Sequence, residues 1–243
     1  MINILISDDN NDLVELIFKE IFRKNKNFRL SDYTYDGEST FDSIIKYQPD
    51  VIILDIQMPK KSGVEIIEQL NLINNNYKPY IIVISSYQEL IDKININKNI
   101  YAIINKGNGF ESFLNKITQY LKEIDIEINN NKTYTNIKNE IEKFQITSQS
   151  KGYIYLIDTI MLSYNLNNYN LNKDIYSKLS SKYKVSPMNI KWDIEKCIKA
   201  MKRYTDSDLI FQYFNVTNKE NLTTKNVIEI IKENIKSSRK NKY

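Results

Sequence analysis

Histidine is absent from this 243-residue sequence, and cysteine occurs once, as Cys197. The lack of histidine excludes a histidine-based catalytic triad and, together with the single cysteine, a zinc site. One cysteine also excludes an internal disulfide framework. Any chemistry must therefore rely on carboxylates, lysines, hydroxyl groups and a hard cation.

Long hydrophobic runs are missing as well. No apolar run approaches the roughly 20 residues that a membrane-spanning helix needs, and no signal peptide precedes the first apolar strand. We therefore expect a soluble, cytoplasmic protein without a membrane partner. Since 42% of the 243 residues are hydrophobic, the chain has enough apolar material for two domains of ordinary size.

Charge is distributed unevenly along the chain. Residues 1–128 carry 14 lysines and arginines against 19 acidic residues, whereas residues 151–243 carry 17 against 9. This asymmetry suggests two domains with separate tasks. The polar stretch around residues 128–133 lacks apolar periodicity and is rich in asparagine, which favours turns. We predict a first domain at residues 1–124, a linker at 125–134 and a second domain at 135–243.

In the first domain, apolar strands alternate with helical patterns. Strands are predicted at residues 2–7, 29–35, 51–55, 80–85 and 100–105, and helices at 13–22, 38–47, 64–73 and 111–123. Five strand–helix units in about 125 residues indicate an α/β fold, a doubly wound five-stranded parallel sheet with right-handed crossovers.

Polar residues follow the predicted strands at their carboxyl ends. Asp8 and Asp9 follow the first strand, Asp55 the third, Ser85 the fourth and Lys106 the fifth. Because these strand ends share one edge of the sheet, the side chains should converge there. Three converging carboxylates repel one another unless a cation binds, and oxygen ligands favour Mg²⁺. The constellation suggests phosphoryl transfer to Asp55, with Lys106 pairing a phosphoryl oxygen.

These residues, with the run Leu54–Pro59 and Gly63, resemble the receiver domain of two-component response regulators over about residues 1–123. The resemblance implies that a histidine kinase or phosphotransfer protein phosphorylates Asp55, and that the protein is a regulator and not an enzyme. It also implies that the backbone carbonyl of Gln57 joins the three aspartates around Mg²⁺. A haloacid-dehalogenase-type phosphatase is disfavoured, because it needs an aspartate where Gln57 stands.

Two positions depart from the receiver pattern. Ile103 stands where the family usually has an aromatic switch residue, and Gly107 replaces the proline that usually follows the lysine. Tyr101 lies two residues before Ile103, which would place both on one face of the strand, so Tyr101 is a candidate switch residue. Ordinary packing of Tyr101 is the alternative. Ser85 keeps the hydroxyl that would move toward the phosphoryl group.

The second domain is predicted to be all helical. Helices are predicted at residues 135–144, 152–164, 173–183, 187–204, 206–214 and 224–236. Ser186 followed by Pro187 is a strong helix-start signal. The two helices flanking the turn at 184–186 form a plausible helix-turn-helix, whose basic side chains would contact DNA phosphates. A solvated basic face on a structural helix is the alternative.

Residues 151–160, the helix around 175–179, the turn at 182–187 and the helix at 192–200 resemble the effector domain of the sporulation master response regulator of endospore-forming bacteria. The similarity covers about residues 136–236. It implies a transcription factor that is activated through a phosphorelay, forms a dimer when phosphorylated, binds double-stranded DNA, and acts in sporulation or a related developmental programme.

The residues at the base-reading positions differ from those of that family, which presents arginines, a glutamate and a histidine. The aligned positions, together with one nearby lysine, make up the candidate DNA-binding set: Asn189, Lys191, Trp192, Glu195, Lys196 and Lys199. Lysine lacks the two-donor fork that reads guanine, and tryptophan cannot make that contact. We expect general DNA affinity to survive and recognition of the family's DNA box to be lost.

Two alternatives follow from this departure. Trp192 could pack internally and make no base contact at all. The second domain could also bind another regulator or a kinase, which would make the protein a phosphorylation-responsive interaction regulator and not a DNA-binding one.

Overall fold

The computed structural model of the chain describes residues 1–73, 76–87, 100–146 and 148–240. The chain divides into two compact units, Met1–Glu127 and Ile128–Tyr243. None of the helices in these described ranges is long and apolar enough to cross a membrane.

The first unit contains a five-stranded parallel sheet with strand order β2-β1-β3-β4-β5. The strands are β1 (Ile2–Ser7), β2 (Phe28–Thr34), β3 (Val51–Asp55), β4 (Tyr80–Ser85) and β5 (Ile100–Asn105). The helices between them are α1 (Asn11–Lys24), α2 (Gly37–Tyr47) and α3 (Gly63–Leu72). The predicted doubly wound α/β fold is confirmed. The helix that a fifth strand–helix unit requires between β4 and β5 would fall on residues 88–99, outside the described residues.

Burial explains why the central strands read as apolar runs. Every residue of β3 is buried, and five of the six residues in each of β1 and β4 are buried. Strands covered by helices on both faces need apolar side chains on both faces. The chemistry-bearing residues therefore appear only where these strands end.

Strand β5 contains an irregularity that changes which face its side chains occupy. Ile81 pairs with Ile100, but Ile82 pairs with Ala102, so Tyr101 is skipped in the register. As a result, Ile100 and Ile103 both pack with the apolar cluster that includes α3. The expectation that Tyr101 shares a face with Ile103 is wrong, because a bulge breaks the two-residue alternation.

The predicted linker at residues 125–134 is helical in the structure. A single helix, α4 (Phe110–Glu142), runs through it, and the division between the two units falls within this helix. Residues 111–142 contain neither glycine nor proline, so nothing in the backbone interrupts the helix. The Thr133 and Thr135 hydroxyls donate to the carbonyls of Asn129 and Asn131, four residues earlier, which the helix itself makes possible. Polar composition alone was a poor predictor of a turn.

The second unit is helical, as predicted. After the end of α4 it contains α5 (Lys151–Ser163), a π-helical turn (Leu171–Tyr176), α6 (Ser177–Tyr183), α7 (Pro187–Tyr204), α8 (Ser207–Phe214), a 3₁₀ turn (Lys219–Asn221) and α9 (Thr224–Lys240). A Cβ at Gly152 would lie 2.2 Å from the carbonyl oxygen of Asp193, so α5 and α7 approach each other closely. Lys184 takes a left-handed conformation that ends α6, and Ser186 Oγ accepts from the Asn189 amide to start α7.

Candidate functional site

Three carboxylates meet where β1 and β3 end. Asp8, Asp9 and Asp55 each offer an oxygen, and these oxygens lie within 4.8 Å of one another. Asp8 and Asp55 are buried, whereas Asp9 is exposed. The convergence follows from the sheet order, because β1 pairs with β3 in parallel and their carboxyl ends are neighbours. The Asn10 amide also donates to Asp8 Oδ1 over 3.0 Å.

Lys106 bridges the two buried carboxylates. Its Nζ lies 2.6 Å from Asp8 Oδ2 and 2.8 Å from Asp55 Oδ2. The residue follows β5, and its backbone amide donates to the Ser85 carbonyl over 2.8 Å, which fixes the start of the side chain. Three carboxyl groups therefore share one ammonium group at this edge of the sheet.

Burial and mutual hydrogen bonding set the protonation states of Asp55 and Lys106. It raises the pKa of Asp55 to about 6, against the opposing effects of Lys106 and of the Gln57 backbone amide. Burial alone would lower the pKa of Lys106, but its hydrogen bonds to Asp55 and Asp8 outweigh that effect and raise it. Lys106 is therefore a cation at neutral pH, and Asp55 is an anion that protonates under mildly acidic conditions.

Helix α7 presents the predicted DNA-binding residues on an accessible surface. Five of them are exposed and Lys191 is half-buried, with its Nζ 3.8 Å from Glu195 Oε1. The exposed five are Asn189, Trp192, Glu195, Lys196 and Lys199. The opposite face of α7 is buried, through Ile190, Ile194, Cys197, Ile198 and Met201.

Trp192 belongs to the exposed surface. Its side chain is 61% exposed, and Lys196 Nζ lies 5.3 Å from the centre of its ring. Internal packing of Trp192, the alternative raised by the sequence, is therefore wrong.

Comparison with known families assigns both halves of the chain. Residues 4–118 match the response regulator receiver domain, and residues 137–235 match the C-terminal domain of the sporulation initiation factor Spo0A. The chain joins a response regulator receiver domain to a Spo0A-type C-terminal domain. The resemblance inferred from the aspartates, Lys106 and the motif at residues 151–160 is confirmed.

Individual relatives resemble the receiver domain. Response regulator GtcR of Aneurinibacillus migulanus is 31% identical over 113 residues, which is 46% of this chain and 40% of the relative's length. The chain thus matches well under two thirds of that relative. Among solved structures, the response regulator domain of Thermotoga maritima CheB is 21% identical, with a TM-score of 0.43, over 53% of this chain and 97% of its own. A chain of the CheX–CheY–BeF3–Mg²⁺ complex of Borrelia burgdorferi is 24% identical, with a TM-score of 0.43, over 51% of this chain and 88% of its own.

The acidic edge of the receiver domain fits a divalent cation. Asp8 Oδ2 is buried and faces Lys106 Nζ, whose positive charge it shares with Asp55. A buried carboxylate oxygen in this situation is costly unless further positive charge is close. The donor set contains only oxygen, which suits Mg²⁺, and exposed Asp9 gives access from solvent. Gln57 has an exposed side chain and lines a pocket together with Asp9. The backbone carbonyl of Gln57 was predicted to be a Mg²⁺ ligand.

The two predicted switch residues of the receiver domain have different surroundings. Ser85 is buried at the end of β4, and its Oγ accepts from the Tyr87 amide over 3.1 Å. The Tyr101 ring packs edge-on against Tyr80 and Tyr120, with ring centres 5.6 and 6.0 Å away. Its hydroxyl also donates to Glu123 of α4 over 3.3 Å. These contacts match the packing alternative for Tyr101, and they give no support to a switch role.

The loop after Asp55 is held by close backbone contacts. A Cβ at Gly63 would lie 2.2 Å from the Asp55 carbonyl oxygen, and the Gly63 amide donates to the Ile56 carbonyl over 2.9 Å. Ser62 caps α3 in a capping box with Glu65. Gly63 is therefore required at this position because no side chain fits between the loop and the strand end.

Sequence reasoning missed a buried hydroxyl network beneath this loop. Ser7 Oγ lies 2.5 Å from Thr40 Oγ1 and 3.0 Å from Met58 Sδ, and its one hydroxyl proton can be donated to either of them. Thr40 also donates to the Asp36 carbonyl over 2.6 Å. The network ties β1, α2 and the loop after Asp55 together. No local pattern could have revealed it, because its members come from three separate elements.

Proposed function

We propose that this chain is a response regulator in which phosphorylation of Asp55 controls DNA binding by the Spo0A-type domain and thereby transcription. The observation that carries the proposal is the buried Asp8–Lys106–Asp55 ion-pair cluster with Asp9 at its open side. The phosphodonor is a histidine kinase or a phosphotransfer protein. The programme that it controls is sporulation or a related developmental response.

In the proposed reaction, a carboxylate oxygen of Asp55 attacks the phosphorus of the donor's phosphohistidine. The phosphorus–nitrogen bond breaks, its electron pair returns to the donor imidazole, and an acyl phosphate forms on Asp55. Lys106 pairs with a phosphoryl oxygen, and Asp8 and Asp9 would hold the cation. Mg²⁺, when bound, offsets the negative charge that gathers on the phosphoryl oxygens.

Phosphorylation then changes the balance of charge at the edge of the sheet. The phosphoryl group adds up to about two negative charges, which compete with Asp8 for Lys106 and attract the Ser85 hydroxyl. Such a charge can shift a two-state equilibrium by a few kcal/mol. We propose that the favoured state forms a dimer and binds double-stranded DNA through α7.

The site assignment is tested by labelling the full chain with radioactive acetyl phosphate in the presence of Mg²⁺. Asp55→Ala should abolish labelling, since it removes the nucleophile. Asp42→Ala, which alters an exposed carboxylate on α2, serves as the matched control and should label normally. Persistent labelling of the Asp55→Ala protein would disprove the assignment.

A second candidate function is binding of another regulator or a kinase by α7. It is favoured by two apolar side chains near the start of that helix, Met188 and Trp192, which are 71% and 61% exposed. In vitro selection of random duplex DNA on the full chain separates the two functions. Enrichment of one sequence motif supports DNA recognition, and absence of any enrichment favours a protein partner.

A further inference from the structure

A groove of about 540 Å³ lies beside the C-terminal half of α7, and Glu195 is the one predicted base-reading residue that lines it. One wall is α7 itself, and the other is the segment from the 3₁₀ turn to the start of α9. Its charged lining residues are Lys199, Lys202, Arg203, Lys219, Glu195 and Glu220. Four cations against two carboxylates favour an anionic occupant.

Lys219 is fixed at the end of α7. Its Nζ donates to the carbonyls of Lys202 and Thr205, each over 2.9 Å. The last carbonyls of a helix carry partial negative charge, which would repel an anion. Lys219 neutralises that charge and adds an ammonium group to a groove whose other cations come from α7.

The opposite wall contributes further positive potential. Thr223 and Thr224 line the groove at the start of the 17-residue helix α9, and Thr223 Oγ1 accepts from the Asn226 amide over 3.2 Å. Helix N-termini attract anions. Of the two opposing carboxylates, Glu195 already lies near Lys191, at 3.8 Å.

The position of the groove along α7 suggests which anion it receives. At about 1.5 Å per residue, Lys199 and Arg203 lie roughly 10 and 16 Å beyond Trp192 along the helix axis. The major groove of DNA is about 12 Å wide. If the residues around Trp192 face the bases, these two cations lie at or beyond the edge of the major groove, where the phosphate backbone runs.

We propose that this groove binds a backbone phosphate of the DNA duplex and so fixes the position of α7 without reading sequence. The inference rests on the proposed DNA-binding function and adds to it a phosphate site formed by Lys199, Lys202, Arg203 and Lys219. Contacts of this kind strengthen binding to every sequence equally.

The test measures the salt dependence of DNA affinity for the full chain after phosphorylation with acetyl phosphate. Two 30-base-pair duplexes are compared, one of arbitrary sequence and one enriched by selection. The variant Lys199→Gln/Arg203→Gln removes two groove cations, and Lys132→Gln/Lys138→Gln removes two exposed lysines of α4 as the matched control. The slope of log K against log salt falls by about 0.9 for each phosphate contact that is lost.

We expect the groove variant to weaken binding to both duplexes by the same factor and to reduce the slope by about one, while the control variant leaves the slope unchanged. Glu220→Gln should tighten binding to both duplexes, because it removes an opposing charge. An unchanged slope in the groove variant, or a loss confined to the selected duplex, would overturn the phosphate site alone. Failure of the wild-type chain to bind either duplex would instead overturn the proposed DNA-binding function.

Discussion

Asp55 is the residue on which the proposed phosphoryl transfer depends. A buried carboxylate is more easily ionised when a cation is near, and Lys106 provides one at 2.8 Å. Burial still outweighs the effect of Lys106 and raises the pKa of Asp55 to about 6. Burial therefore disfavours the Asp55 anion, and a divalent cation at this site would stabilise it.

This raised pKa predicts a pH-dependent stability in metal-free buffer. A carboxyl group whose folded pKa lies above its unfolded value of about 3.9 stabilises the fold when protonated, and that contribution is lost as the pH rises through about 6. Asp55→Asn removes the ionisation. We expect this variant to be more stable than wild type by about 1 to 3 kcal/mol at pH 7.5, and the difference to disappear near pH 4. Urea denaturation at both pH values measures it, and an equal difference at the two pH values would contradict this reading.

Trp192 is the residue that most alters the predicted base-reading surface. Trp192→Arg would restore a two-donor fork at an exposed position of α7. We expect selected DNA sites to gain a guanine preference of about 1 to 3 kcal/mol, since Arg binds guanine O6 and N7 together. Trp192→Lys is the control, because it adds the charge without the fork. Identical sequence preferences for the two variants would argue against base contact at this position.

At the scale of elements, close approach of helices α5 and α7 organises the second unit. Gly152 makes it possible, since a Cβ there would lie 2.2 Å from the Asp193 carbonyl oxygen and 2.8 Å from Cys197 Cβ. The two helices would have to move apart to accept a side chain. The position of α7, and of every candidate DNA contact on it, depends on this packing.

Gly152→Ala should therefore destabilise the second unit by about 1 to 3 kcal/mol, even though alanine favours the helix by about 1 kcal/mol. Denaturation of the full chain monitored by Trp192 fluorescence measures the effect. Gly107→Ala is the control, because a Cβ at that position would meet only the Asn105 side chain, at 3.0 Å. An unchanged free energy of unfolding in Gly152→Ala would contradict this prediction, because it would mean that α5 and α7 can move apart without loss of stability.

The elements also show what the sequence could predict. The acidic cluster was predictable because the carboxyl ends of adjacent parallel strands share one edge, so Asp8, Asp55 and Lys106 had to converge. The face of Tyr101 was not predictable, since the bulge in β5 depends on pairing with β4. The helix through residues 125–134 was missed because polar side chains were taken as a turn signal, whereas the absence of glycine and proline permits a continuous helix.

At the scale of the whole molecule, the two halves differ in charge as their proposed tasks require. Residues 1–128 carry more acidic than basic residues, and residues 151–243 carry 17 basic against 9 acidic residues. Under this proposal, the acidic half would provide ligands for a cation, and the basic half would provide lysines for a polyanion. The central claim is that phosphorylation in the first half controls DNA binding by the second.

The most direct test of this claim is DNA affinity of the full chain, with and without acetyl phosphate, at fixed salt and Mg²⁺ concentrations. We predict that the phosphodonor tightens binding of wild type by about 5- to 150-fold, the range typical of coupled sites, and leaves Asp55→Asn unchanged. The same increase in both proteins, or no increase in wild type, would contradict control of DNA binding by Asp55.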